Sequence, residues 1–134
     1  MKDFHFDAIS AFENYEIKEM KDGHVEVTTK VVDSSLNYYG NAHGGYLFTL
    51  CDQISGLVLI SLGLDGVTLQ SSINYLKAGK RDDVLTIKGE CVHQGRTTCV
   101  VDVAITNQDG KNVCKATFTM FVTGQRSEDR QVRI

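Results

Sequence analysis

An aspartate, Asp52, stands near the middle of a run from Tyr46 to Leu62 that is otherwise almost wholly apolar. A carboxylate inside a buried helix loses its hydration, so it must be paired, hydrogen-bonded or functional. Just upstream, His43-Gly44-Gly45 opens the same run. At a helix start the first backbone N–H groups lack intrahelical partners, the dipole favours negative charge, and glycines let a ligand approach the backbone closely. An acid that attacks or activates water, together with N–H groups that receive a developing oxyanion, is the equipment of acyl transfer. Each half also has a plainer reading. Asp52 can fix strand register by accepting hydrogen bonds, and His-Gly-Gly can serve only as a turn and cap.

Helical geometry sharpens the first reading. At about 100° per residue, Gly45, Thr49, Asp52, Gly56 and Gly63 fall within about 60° of one another, a small or polar stripe on a helix otherwise built for burial. Seven positions separate Gly45 from Asp52, which is about 10 Å along the axis. One carbonyl cannot touch both. If both act on the same carbonyl, they come from two subunits whose helices run antiparallel across a two-fold axis. The catalytic reading thus predicts a dimer with two symmetric interfacial sites.

The rest of the chain must position this segment. With 134 residues, the chain is the size of one domain able to bury a core without staples. We place that domain at 1–124 and a flexible tail at 125–134, where the sequence is polar and charged. Weak helical spacing in Asp3 to Tyr15 predicts a short N-terminal helix. Valines and threonines from His24 to Val31 predict a first strand. After the long helix, ended by Gly63 and an Asp65-Gly66 turn, four strands are predicted at Val67 to Leu76, Val84 to His93, Thr97 to Thr106 and Val113 to Val122. Alternation of Cys99, Val101, Val103 and Ile105 with Val100, Asp102, Ala104 and Thr106 marks a sheet covered on one face. These pieces assemble as α+β: a long central helix wrapped by a curved antiparallel sheet of about five or six strands.

Composition excludes several classes of partner. A formal charge of −3 gives no basic field for non-specific nucleic-acid binding. Tyr46 to Leu62 is about as long as the shortest membrane-spanning helix. Asp52 and Gln53 at its centre, and the lack of flanking Lys or Arg, point instead to a core helix in a protein with no membrane partner. Cys51, Cys91, Cys99 and Cys114 show no CxxC spacing and are expected as reduced thiols in a cytoplasmic protein. His5, His24 and His93 lack partners at metal-ligand spacing, so no metal site is expected.

Asn37, Gly40, His43, Gly44, Gly45 and Asp52, in that spacing, resemble the motif of hotdog-fold acyl-CoA thioesterases of the phenylacetate-pathway type. Val67 to Tyr75 resembles the central strand of that family, and His93-Gln-Gly-Arg-Thr-Thr98 its turn between strands. The resemblance implies a helix held in a curved sheet, a homodimer with a continuous sheet and commonly a dimer of dimers. It implies Asp52 as general base or nucleophile, Gly44 N–H as donor to the thioester oxygen, Asn37 and His43 as orienting or loop-bracing groups, and Thr68 as a positioner of water. No cofactor is implied beyond the coenzyme A of the substrate.

A CoA ester carries phosphates, so Lys77, Lys80 and Arg81, and the turn Gly95-Arg96-Thr97-Thr98, are candidates for its nucleotide or pantetheine, with Gly45 close to the thioester. Tyr38, Tyr39, Tyr46 and Phe48 form a candidate wall for phenylacyl or medium aliphatic chains. Two alternatives stand beside hydrolysis: a hotdog hydratase or dehydratase, and a module that binds acyl-CoA without turnover.

Overall fold

The computed structural model describes residues 4–126. In chain order the elements are β1 (Glu16–Lys21), β2 (His24–Lys30), a 3-10 turn at Asp33–Ser35, α1 (Gly44–Ser61), β3 (Leu64–Tyr75), β4 (Val84–Gln94), β5 (Thr98–Thr106) and β6 (Asn112–Gln125). The six strands form one antiparallel sheet in the order β1-β2-β4-β5-β6-β3. Its concave face holds α1: Leu50, Cys51, Ile54 and Val58 are fully buried with Val25, Leu85, Ile87, Val101, Ile105 and Phe118. The expected alternation holds in β5, whose Cys99, Val101, Val103 and Ile105 are all buried. Helix and sheet approach closely at Gly89, where any Cβ would lie within 3 Å of Ile54 and Val58 side-chain carbons.

The N-terminal helix expected over residues 3–15 is absent from the described part of that span, which is irregular. Non-local hydrogen bonds compete there with the weak helical pattern. Ser10 N–H donates to the Ser34 carbonyl, Ser10 carbonyl accepts from the Ser35 hydroxyl, and Asn14 Oδ1 accepts from Lys30 N–H at 2.7 Å. Strand β1 escaped the sequence reading because it is an edge strand whose residues are nearly all exposed. Its signal was Asp22-Gly23, with φ of 49° and 88°, the positive pair of a two-residue hairpin.

Asp65-Gly66 is not a turn. The chain reverses at Gly63, where φ is +74°, and Asp65 and Gly66 already lie in β3. Gly66 is needed for close approach: a Cβ there would collide with Leu59 Cδ2 and the Phe121 carbonyl oxygen. At the other end, β6 runs through Gln125, and Arg126 ion-pairs with Asp65 at 3.4 Å. The sheet thus continues into residue 125, while the remainder of the expected tail, 127–134, lies outside the described residues.

Candidate active site

Asp52 sits eight residues past the helix start, on the flank of α1 that faces β3. Its Oδ1 accepts a hydrogen bond of 2.8 Å from the Thr68 hydroxyl. That contact depends on a bulge. Along β3 the residues opposite the buried positions Cys114, Ala116 and Phe118 of β6 are Tyr75, Ile73 and Ser71. Strict alternation would next turn Leu69 toward the helix. The register shift between Thr68 and Gln70 leaves Leu69 outside the ladder, 63% exposed, and sets Thr68 opposite buried Met120. The Thr68 hydroxyl lies 3.6 Å from Met120 Sδ as well.

The entry to α1 is built by His43. As N-cap it has extended dihedrals, φ −63° and ψ 137°, and its Nδ1 accepts from Gly45 N–H at 3.0 Å. With Nδ1 accepting, the ring proton belongs on Nε2, which can donate to a ligand. Gly45 N–H is therefore occupied by the cap. Gly44 N–H, in contrast, has no hydrogen-bond partner among the described residues. A Cβ on Gly45 would press within 3.2 Å of the His43 ring, so the glycine is what lets the imidazole fold back.

Tyr75, which the sequence reading passed over, completes this end. Its hydroxyl donates to the Gly44 carbonyl at 2.9 Å, and its ring lies about 3.4 Å from where a Gly44 Cβ would be. A groove of about 300 Å³ follows, lined by Gly44, Leu47, Tyr75, Lys77 and Gly79. The one hint in the sequence was that Tyr75 ends an alternating strand in phase with Ser71 and Ile73.

Asn37 proves to brace its own loop. Its Oδ1 accepts from Tyr39 N–H at 3.0 Å and Asn41 N–H at 3.1 Å, closing a turn that needs Gly40 at φ +77°. Tyr38 and Tyr39 project from that loop, 95% and 81% exposed, stacked edge to face. Tyr46 and Phe48 do not join them. Tyr46 is buried, which pushes its phenol up to about 12 against a smaller opposing effect of Ser35, and Phe48 packs on Phe118 with centroids 5.6 Å apart. The expected four-ring wall is thus two exposed rings, one buried ring and one half-buried ring packed against the core.

The candidate phosphate contacts are divided between the ends of the sheet. Lys80 Nζ donates to Asn41 Oδ1 and Arg81 pairs with Asp33 at 2.6 Å, leaving exposed Lys77 beside Gly44. The turn at 95–98 is closed by Gly95 N–H donating to the Thr98 carbonyl, with Arg96 and Thr97 exposed. Thr98 pairs with Phe121, which also faces Val67, so this turn belongs to the end of the sheet that carries Thr68 and Asp52. Within one chain, then, Asp52, Thr68 and Gly95 to Thr98 gather at one end of β3, and Gly44, Tyr75 and Lys77 at the other.

The family model described as the thioesterase superfamily matches residues 39–114. Acyl-coenzyme A thioesterase PaaI of Escherichia coli K12 is 36% identical over 107 residues, 80% of this chain and 76% of that protein. A hypothetical thioesterase of Streptococcus pneumoniae TIGR4, solved with coenzyme A, superposes with a TM-score of 0.91 at 91% identity, covering 92% of this chain and all of the other. Its Asp52→Ala and Thr68→Ala variants superpose at 0.89 and 0.90, each 90% identical, over 90% and 91% of this chain and all of theirs. A Streptococcus mutans UA159 protein bound to acetyl CoA gives 0.85 at 67% identity, over 92% of this chain and all of the other.

Proposed function

The chain belongs to the thioesterase superfamily, and from that membership we propose that it hydrolyses acyl-CoA thioesters with Asp52 as general base and Gly44 N–H as oxyanion donor. The observation that carries this reading is the Thr68 to Asp52 hydrogen bond. One carboxylate oxygen is held by the hydroxyl, which orients the other toward water, and the hydroxyl oxygen can itself accept from that water. Water loses a proton to Asp52 as it adds to the thioester carbon. Charge gathers on the former carbonyl oxygen and is received by the unpartnered Gly44 N–H at the helix start of a second protomer. The tetrahedral intermediate then expels CoA as thiolate, the proton passes to sulfur, and the products are a carboxylic acid and free CoA.

A homodimer is part of this proposal. Gly44 and Asp52 of one helix lie about 12 Å apart along the axis, and the site residues divide between the two ends of β3. Strand β3 is a free edge of the sheet, with Val67 and Leu69 56% and 63% exposed. An exposed apolar edge strand is a template for pairing. Pairing two β3 strands across a two-fold axis carries Gly44, Tyr75 and Lys77 of one protomer toward Asp52, Thr68 and Arg96 of the other. Two such dimers forming a tetramer, and a cytoplasmic location, extend the same proposal. The coenzyme A and acetyl CoA bound in the two streptococcal neighbours support a CoA ester as ligand, and the relative named an acyl-coenzyme A thioesterase favours hydrolysis over a hydratase reaction.

Release of free CoA, followed with a thiol reagent over aromatic and aliphatic acyl-CoAs, tests the reading with wild type and Asp52→Ala side by side. Loss of at least about 10²-fold in a folded variant is expected. A variant as active as wild type overturns the assignment of Asp52.

A further inference from the structure

The ammonium of Lys80 meets an amide rather than an acid. Its Nζ donates to Asn41 Oδ1 at 2.7 Å, at the short end of the charge-assisted range. The acids next to it in the chain are engaged elsewhere: Asp82 pairs with Lys30, and Asp83 accepts from Lys80 N–H at 2.9 Å and from Gln108 Nε2 at 3.0 Å. The backbone beneath Lys80 is fixed to the sheet. Val31, fully buried just past the end of β2, donates its N–H to the Asp83 carbonyl at 2.9 Å and accepts from Asp82 N–H at 3.0 Å. The turn 80–83 is thus braced from β2 and, through Gln108, from the loop before β6, and it presents the Lys80 side chain from a rigid base.

Asn41 belongs to the turn that leads into α1. Its N–H donates to Asn37 Oδ1 at 3.1 Å, and its carbonyl accepts from Asn37 N–H at 2.7 Å. Asn41 and Lys80 also pair as an isolated bridge, Ala42 N–H donates to the Gly79 carbonyl at 2.8 Å, and Gly79 packs so closely on Ala42 that a Cβ would lie 2.8 Å from the Ala42 methyl. This seam of 41–42 against 79–80 joins the helix entry to the sheet, and Lys80 to Asn41 is its side-chain bond. We propose that Lys80 is a positioning residue for hydrolysis: through Asn41 it holds the turn 37–43 so that Gly44 N–H keeps its aim at the thioester oxygen, rather than binding the phosphates of coenzyme A. Gly44 stands three positions beyond Asn41, too near for the turn to shift without moving that N–H, and a small misplacement of a catalytic donor lowers the rate. Water competes for an exposed ammonium, so the effect is that of an ordinary net hydrogen bond.

The inference rests on the hydrolase reading with Gly44 N–H as oxyanion donor, and its test separates the two. Lys80→Met keeps the aliphatic stem and removes the ammonium; Asn41→Ala removes the acceptor. Each is expected to lower kcat on an acyl-CoA about threefold to tenfold with KM within about twofold of wild type. For the same acyl group carried by N-acetylcysteamine, a thioester without phosphates, kcat/KM is expected to fall by the same factor. The double variant is expected to lose no more than either single one, the mark of two groups acting as one, and Lys80→Arg, which keeps a charged donor, to retain at least about half of wild-type kcat. Amide hydrogen exchange over residues 37–44 is expected to quicken in both single variants while β5 is unchanged. A rise in KM confined to the CoA ester makes Lys80 a phosphate contact and overturns the proposal. So do additive losses, a lowered melting temperature with unchanged kcat, or unchanged exchange over residues 37–44. If wild type turns over neither thioester but exchange there quickens in both variants, the hydrolase reading fails and the clamp on the helix entry stands.

Discussion

The Thr68 hydroxyl reaches Asp52 Oδ1 at 2.8 Å because β3 skips Leu69 in its ladder with β6. A hydrogen bond to a charged group contributes about 1.5–3 kcal/mol, so Thr68→Val should lower kcat by roughly 10- to 100-fold. Thr68→Ser keeps the oxygen and should stay within about threefold of wild type. KM should change little in both, since in the proposed mechanism the hydroxyl orients the base and its water. A Thr68→Val enzyme with full kcat would show that the bond only fixes strand register.

The same strand ends in Tyr75, whose hydroxyl holds the Gly44 carbonyl at 2.9 Å. Tyr75→Phe keeps the ring against Gly44 and removes only that bond. A typical net hydrogen bond contributes about 0.5–1.5 kcal/mol, so kcat should fall about threefold to tenfold, with the melting temperature within a few degrees of wild type. Steady-state kinetics alongside thermal denaturation checks this. A drop in stability with unchanged kcat would make Tyr75 a packing residue and nothing more.

Thiol chemistry offers an independent check on where the cysteines lie. Cys51, Cys99 and Cys114 are fully buried and Cys91 is half-buried. Cys51 and Cys114 share a hydrogen-bonding contact of 3.9 Å that, ahead of burial, pushes the Cys51 thiol up and draws Cys114 down; burial pushes Cys99 up. Only an accessible thiolate reacts quickly. Native protein should therefore titrate about one rapid thiol, Cys91, and all four only after denaturation. The Cys91→Ser variant should give almost no rapid reaction, and a persistent fast thiol there would contradict the burial of Cys51, Cys99 and Cys114 between α1 and the sheet.

What the sequence disclosed and what it withheld follow one physical division. Residues whose neighbours are local in the chain were legible: the cap at His43, the buried helix around Asp52, the turn at Gly95, the alternation of Cys99 to Ile105. Contacts set by strand register were not. Nothing in Val67 to Tyr75 announces a bulge at Leu69, and without it Thr68 would face away from Asp52. Tyr75 read as one more strand aromatic, because its partner Gly44 is 31 residues away. The N-terminal helix failed for the same reason: Ser10 and Asn14 find their partners on Ser34, Ser35 and Lys30 rather than four residues along.

The sharpest consequence of the proposed division of the site between two chains is complementation. Gly44 is the first residue of α1, where proline fits the helix and lacks the N–H proposed to bind the oxyanion. His43 already has the extended dihedrals that a following proline demands, and an added Cβ at Gly44 meets the Tyr75 ring only at ordinary contact, 3.4 Å. Gly44→Pro should thus fold and dimerise yet lose at least about 10²-fold in kcat, the loss also expected of Asp52→Ala. A heterodimer of the two variants has one site with both defects and one with neither. Random mixing of subunits, by co-expression or by unfolding and refolding together, should recover about one quarter of wild-type activity from two inactive parents. Sites completed within a single chain would recover nothing, because every chain in the mixture would carry a defect of its own.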